Sequence, residues 1–121
     1  MSFHPSGFIE FGESLMQLSG LEREPLLRTV VNRCYLAAYM CAKMALEARN
    51  HVYDNTSEDY KKVEQDLRNE FGHDGRFMQE QLSLLREKRR KVDYEYPCTD
   101  PLDPLFVNHK ISVAKHLVAK L

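Results

Sequence analysis

The sequence predicts an all-α fold, an up-and-down bundle of four or five helices forming one domain over residues 1–121. The chain is 121 residues long, the size of one ordinary domain. Three long segments contain neither glycine nor proline and are rich in good helix formers: 26–71, 76–96 and 105–121. Apolar residues recur in them at spacings of three and four, and no run alternates as a strand would.

The first two helices follow from this spacing. A short first helix is expected at about residues 8–19, where Phe8, Phe11 and Leu15 are spaced three and four apart. The main bundle should then cover about 26–121, and Pro25 suits the first turn of its first helix. The polar cluster at 50–57 predicts where that helix gives way to the next.

Three more helices complete the predicted bundle. Thr56 or Ser57 is expected to cap the third helix, and Asp103 should cap the last, with Pro104 in its first turn. Their apolar stripes are Tyr60, Val63, Leu67 and Phe71 in the third helix, Met78, Leu82, Leu85 and Val92 in the fourth, and Val107, Ile111, Ala114, Val118 and Leu121 in the fifth.

Composition excludes several functional classes. The formal net charge is −1, which argues against a uniformly basic nucleic-acid or membrane binder. No run approaches the roughly 18 apolar residues that span a bilayer, and the N-terminus lacks a secretion signal, so a cytoplasmic protein is expected. The three cysteines lack metal-type spacing and are expected to be free thiols. No metal or cofactor is predicted.

The second helix is apolar almost all round. One stripe of it is built of small residues, including Cys34, Ala38 and Cys41, and Met40 and Met44 lie on a second apolar face. Such a helix is central in its bundle or lies at a subunit interface. Because so short a chain has few helices to surround it, we expect a homodimer.

Two arginines occupy positions where apolar residues would be expected. Arg33 shares a helix side with Ala37 and Met40, and Arg89 interrupts the stripe of the fourth helix. An inward guanidinium needs a carboxylate or another dense set of acceptors, and Asp93, one turn after Arg89, is the nearest candidate. The pair is either structural, an ion pair that fixes helix four to helix two, or a phosphate or nucleotide contact.

The remaining basic residues and histidines are expected to lie on the surface or in loops. The basic run at 86–91 has the composition of a solvated helix C-terminus, with an RNA-binding track as the alternative. His109 and His116 are expected on a solvent-facing stripe, since no carboxylate stands beside them at ligand spacing. His4 and His51 should lie in loops without partners.

Two segments resemble the HEPN domain, the higher eukaryote and prokaryote nucleotide-binding family. Residues 28–39, RTVVNRCYLAAY, are similar to a helix of that family, and residues 89–94, RRKVDY, are similar to its R-x-x-A-D-Y ending. The resemblance covers about 26–121. It implies a helical bundle that commonly dimerises. It also implies nucleotide, RNA or partner contacts at the motif residues Arg33, Tyr35, Arg89, Asp93 and Tyr94.

The resemblance also implies a function and an alternative. Many HEPN members are metal-independent RNases of toxin–antitoxin and phage-defence systems, with an R-x(4–6)-H motif that Arg68, Asn69 and His73 match in letters. His73 would then be the general acid–base and Arg68 would stabilise the charged phosphorane, or else both residues simply belong to a helix end and turn. The alternative function is a non-catalytic interaction module paired with a nucleotidyltransferase or another partner.

Overall fold

Five helices form the bundle in the computed structural model, which describes residues 4–17, 23–94 and 104–121. They are α1 Gly7–Met16, α2 Arg23–Glu47, α3 Asp59–Glu70, α4 Gly75–Tyr94 and α5 Pro104–Lys120, and a 3₁₀ turn, Gly72–Asp74, precedes α4. The described residues include no strand. The predicted all-α class is therefore confirmed.

The core forms along the predicted stripes. Leu82 and Leu85 of α4 and Val107 of α5 are completely or almost completely buried, as is Val30 of α2. In α5 the predicted stripe omitted Leu117, which is fully buried, while its last members Val118 and Leu121 are partly buried and pack against the core. A helix turns by 100° per residue, so residues three and four positions after Ala114 both lie near its face. Leu117, at the spacing of three, is the one that the core buries.

Helix α2 is the centre of the bundle, because α1, α3, α4 and α5 all pack against it. Four helices of the same chain thus surround it, and its apolar character is explained without a second subunit. Met40 and Met44 are the exceptions, at 40% and 46% exposed. None of the described helices has the length and apolarity needed to cross a membrane.

Some predicted boundaries shift by a few residues. Helix α1 ends at Met16, and residues 18 and 19 of its predicted range lie outside the described residues. Helix α3 is preceded by Glu58, so the cap expected at Thr56 or Ser57 was wrong. Thr56 contributes differently: its Oγ1 accepts a hydrogen bond from the Glu58 N–H at 3.4 Å. Asp103, the predicted cap of α5, also lies outside the described residues.

The α2–α3 loop is fastened to α3 by His51, which the sequence placed in a loop without partners. That expectation was wrong, since His51 Nε2 lies 3.0 Å from Glu70 Oε2 and Nδ1 lies 3.3 Å from Asp66 Oδ2. Tyr53 donates a further hydrogen bond to Asp66 at 2.8 Å. Both carboxylates lie on a neighbouring helix, so the sequence around His51 carries no sign of them.

Gly75 allows the start of α4 to pack closely against the backbone of α3. A Cβ at this position would lie 2.4 Å from the carbonyl oxygen of Arg68 and 2.7 Å from that of Leu67. Real Cβ atoms do not come so near to backbone oxygens, so α4 begins where only glycine fits. Gly72, three residues earlier, has φ +54° and open space around it.

Candidate functional site

The candidate site lies where the first half of α2 packs antiparallel against the last two turns of α4. Arg28 of α2 donates a hydrogen bond to the carbonyl oxygen of Val92, and Asn32 donates one to Asp93 Oδ2 at 2.9 Å. The last carbonyl groups of a helix accept no hydrogen bond from within that helix. Arg28 therefore supplies a donor to one of the unpaired carbonyl groups at the C-terminus of α4. We call the surface along this contact the α2–α4 seam.

One end of the seam is a cleft of about 540 Å³, which we call the end cleft. Its polar side chains come from two turns of α2 and from the end of α4. They are Arg28, Thr29, Asn32, Arg33, Asp93 and Tyr94, with Pro25 and Val92 as further lining residues. Tyr94 is 69% exposed, and the Arg89 guanidinium carbon lies 5.5 Å from its ring centre.

Arg33 has an unusual environment in this cleft. Its Nε is buried and makes no hydrogen bond to any described residue. Its guanidinium carbon lies 5.3 Å from the ring centre of Phe8, a cation–π contact from α1. A buried N–H without an acceptor costs free energy that the ring contact only partly offsets. Arg33 therefore has a buried donor without a partner on a side chain that lines the end cleft.

Arg89 is the second such arginine. Asp93 Oδ2 lies 2.9 Å from Arg89 Nε, which confirms Asp93 as its carboxylate neighbour. The buried Nε–H nevertheless makes no hydrogen bond within the described part of the chain. Because Asn32 binds the same Asp93 oxygen, the carboxylate links α4 to α2. The structural interpretation of Arg89 is thus supported, since Asp93 balances the charge of its guanidinium group.

A second cleft, of about 350 Å³, continues the seam toward α3. We call it the tyrosine cleft, because Tyr35, Tyr39 and Tyr60 line it together with Arg86, Arg89 and Arg90. Tyr35 and Tyr39 stack at a centroid distance of 5.7 Å, and the Arg86 guanidinium carbon lies 4.6 Å from the ring centre of Tyr60. Burial raises the pKa of the Tyr35 hydroxyl, which stays protonated and able to donate.

Arg86 does not belong to a solvated helix end, as the basic run had suggested. Its Nε donates to Glu64 Oε2 at 2.8 Å, and Glu64 is a buried carboxylate of α3. The predicted site residues therefore did not include Arg86, Tyr39 and Tyr60 of the tyrosine cleft. They also did not include Arg28 and Asn32 of the end cleft. One signal was available, since Arg86, Arg89 and Arg90 are spaced three and four apart and so share one helix face with Asp93.

Arginine side chains are concentrated along the seam. The two clefts are lined by five arginines, Arg28 and Arg33 in one and Arg86, Arg89 and Arg90 in the other, and Asp93 is the one carboxylate among their described lining residues. Glu64 and Glu87, outside that lining, pair with Arg86 and Arg90. Guanidinium groups bind phosphate oxygens in a planar, bidentate geometry, and tyrosine rings provide faces on which bases stack. The chemistry of the seam suits an anionic ligand that also carries aromatic groups.

The second group of predicted residues lies elsewhere. Arg68 is exposed in the last turn of α3 and donates to Gln79 at 3.3 Å, while Asn69 accepts a hydrogen bond from Gln65 at 3.2 Å. His73 is exposed in the 3₁₀ turn before α4. Arg89 lies 14 residues along α4 from Gly75, or about 21 Å along the helix axis. Within one chain the predicted catalytic and binding residues form two separate groups.

Other reactive groups do not form a site. Cys34 and Cys41 are free and buried, and burial raises the pKa of the Cys34 thiol to about 12, so it stays protonated at neutral pH. Cys98 lies outside the described residues. His109 and His116 are exposed on α5, as predicted. Among the described residues, no group of three or more His, Cys, Asp or Glu side chains could hold a metal ion.

Comparison with protein-family models, with curated proteins and with solved structures finds no match to this chain.

Proposed function

We propose that this protein is a HEPN-type helical bundle that binds a phosphate-bearing ligand, a nucleotide or RNA, along the α2–α4 seam. The observation that carries the proposal is Arg33, whose buried Nε has no acceptor among the described residues. The Arg33 side chain lines the end cleft, and a ligand phosphate bound there would bring acceptors to its guanidinium group. The setting we propose is a cytoplasmic stress or phage-defence system of the toxin–antitoxin kind.

The shape of the seam supports a ligand longer than a single phosphate. The end cleft offers Arg33 and the tyrosine cleft offers Arg89, whose Nε is ion-paired with Asp93. Asp93 lines the first cleft and contacts Arg89 of the second, so the two clefts adjoin. Stacking on Tyr39 or Tyr60 would hold a base beside a phosphate bound by arginine.

The location of binding is testable by NMR. Titration with a short single-stranded RNA is expected to shift amide resonances of residues 28–39 and 86–94, since these segments line both clefts. Residues 109–116 of α5, which line neither cleft and carry no predicted site residue, serve as the internal control. Shifts confined to 68–76, or no shifts at millimolar RNA, would contradict the proposal.

Cleavage of RNA is a further activity that the resemblance implies, through Arg68, Asn69 and His73. His73 is exposed among the described residues, so a substrate phosphate has access to it. If these residues are catalytic, His73→Ala should reduce metal-independent cleavage of single-stranded RNA by about 10²- to 10⁴-fold, the usual contribution of a general acid–base. The assay is a gel of cleavage products with EDTA present. Equal cleavage by the wild type and by the His73→Ala variant would exclude this role.

The alternative is a non-catalytic module that binds a nucleotidyltransferase or another protein, and the exposed strip of Met40 and Met44 on α2 favours it. Both side chains are at least 40% exposed and lie one helical turn apart. The same strip could join two copies of the chain, which is how we propose that the expected homodimer forms. A partner docked there would shift resonances of Met40 and Met44 and leave the end cleft unperturbed.

A further inference from the structure

We propose that Asp93 makes the seam selective for ribose over deoxyribose, by accepting a hydrogen bond from the 2′-hydroxyl next to the bound phosphate. This inference rests on the proposed function and assigns one residue within the same site. It starts from a conflict of charge. Among the described lining residues of the two clefts Asp93 is the one carboxylate, and its negative charge weakens the attraction of any phosphate placed there.

The two oxygens of Asp93 differ in their contacts. Oδ2 accepts a hydrogen bond from Asn32 Nδ2 at 2.9 Å and lies 2.9 Å from Arg89 Nε. Oδ1 makes no hydrogen bond or ion pair with any described residue. The side chain is 25% exposed and borders the end cleft. Asn32 and Arg89 therefore hold the carboxylate in place while one oxygen stays available to a ligand.

An ionised carboxylate only accepts hydrogen bonds, so the ligand group that it selects must be a donor. In a nucleotide the sugar hydroxyls are donors within reach of a neighbouring phosphate, and the 2′-hydroxyl is the one that DNA lacks. A hydroxyl bound to a charged acceptor forms a stronger bond than one bound to a neutral acceptor. Deoxyribose would leave Oδ1 without a donor and keep only the repulsion between Asp93 and the phosphate.

A purely structural role of Asp93 predicts a different effect of its replacement on the affinities for RNA and DNA. If Asp93 only fastens α4 to α2, its replacement lowers the stability of the fold and changes the affinities for RNA and DNA by the same factor. The ratio of the two affinities therefore separates the two roles, because loss of stability alone does not move it.

The experiment compares a five-nucleotide single-stranded RNA with the DNA of the same sequence, both 3′-labelled and without terminal phosphate, by fluorescence anisotropy. For the wild type we expect RNA to bind about tenfold more tightly, the size of one hydrogen bond to a charged group. In Asp93→Asn the ratio should fall to within about threefold of unity, and binding of DNA should become tighter because a negative charge is removed.

Glu80→Gln is the matched control. Glu80 also lies on α4 and also forms an ion pair with the Nε of an arginine one turn away, Arg76, at 3.1 Å. It should leave the RNA-to-DNA ratio unchanged. Equal binding of RNA and DNA by the wild type overturns the inference while the proposed function stands, and so does an unchanged ratio in Asp93→Asn. Failure of the wild type to bind either oligonucleotide overturns both.

Discussion

Replacing Gly75 with alanine is expected to lower the free energy of unfolding by about 3 kcal/mol, the upper range for overpacking of a tight contact. The new Cβ would lie 2.4 Å from one backbone oxygen of α3 and 2.7 Å from another. Backbone atoms cannot rotate away as a side chain can, so α4 must move as a unit. For a chain of this length the melting temperature should fall by roughly 10 °C or more. Thermal and urea unfolding followed by circular dichroism measure both quantities.

Gly72→Asn is the control for Gly75, because it changes another glycine of the same turn without creating a clash. Gly72 has φ +54° and nothing within 4 Å of an added Cβ, and asparagine tolerates that left-handed conformation better than most residues. Its cost should stay near or below about 1 kcal/mol. If the two variants are equally stable, close contact at Gly75 does not limit the packing of α3 against α4.

The helices were predictable because each depends on its own residues. Breaker-free segments and apolar spacing predict α4 and α5 from short stretches of chain, and core residues such as Leu82 follow from the same spacing. Arg33 and Arg89 could be recognised from the same periodicity, because each is a charged residue at a position where the helical pattern predicts an apolar one. The Nε atom of each is buried, which agrees with that anomaly.

The contacts between helices were not predictable in the same way. The hydrogen bond between Asn32 and Asp93 spans 61 positions in the chain, and Arg86 reaches Glu64 across 22. Such pairs depend on how far each helix is rotated about its axis, which the pattern of a single helix does not determine. The contacts of His51 were not predicted for the same reason, because its two carboxylate partners belong to α3.

Arg33→Ala is expected to weaken binding of single-stranded RNA by roughly 10- to 150-fold, equivalent to the loss of a charge-assisted hydrogen bond of about 1.5–3 kcal/mol. The same change should leave the stability of the fold nearly unaltered. Arg33 Nε makes no hydrogen bond within the described residues, and only the contact with Phe8 is lost. An arginine that served the fold alone would show the opposite pattern.

The dissociation constant of a labelled single-stranded RNA, measured for wild type and Arg33→Ala at one salt concentration, therefore tests the central claim most directly. Arg76→Ala is the control, since it removes an exposed arginine of α4 near the opposite end of that helix from Arg89. We predict at least tenfold weaker binding for Arg33→Ala, a much smaller change for Arg76→Ala, and melting temperatures within a few degrees of the wild type. Equal affinity of Arg33→Ala and wild type, with both proteins folded, would contradict the assignment of the α2–α4 seam as the binding site.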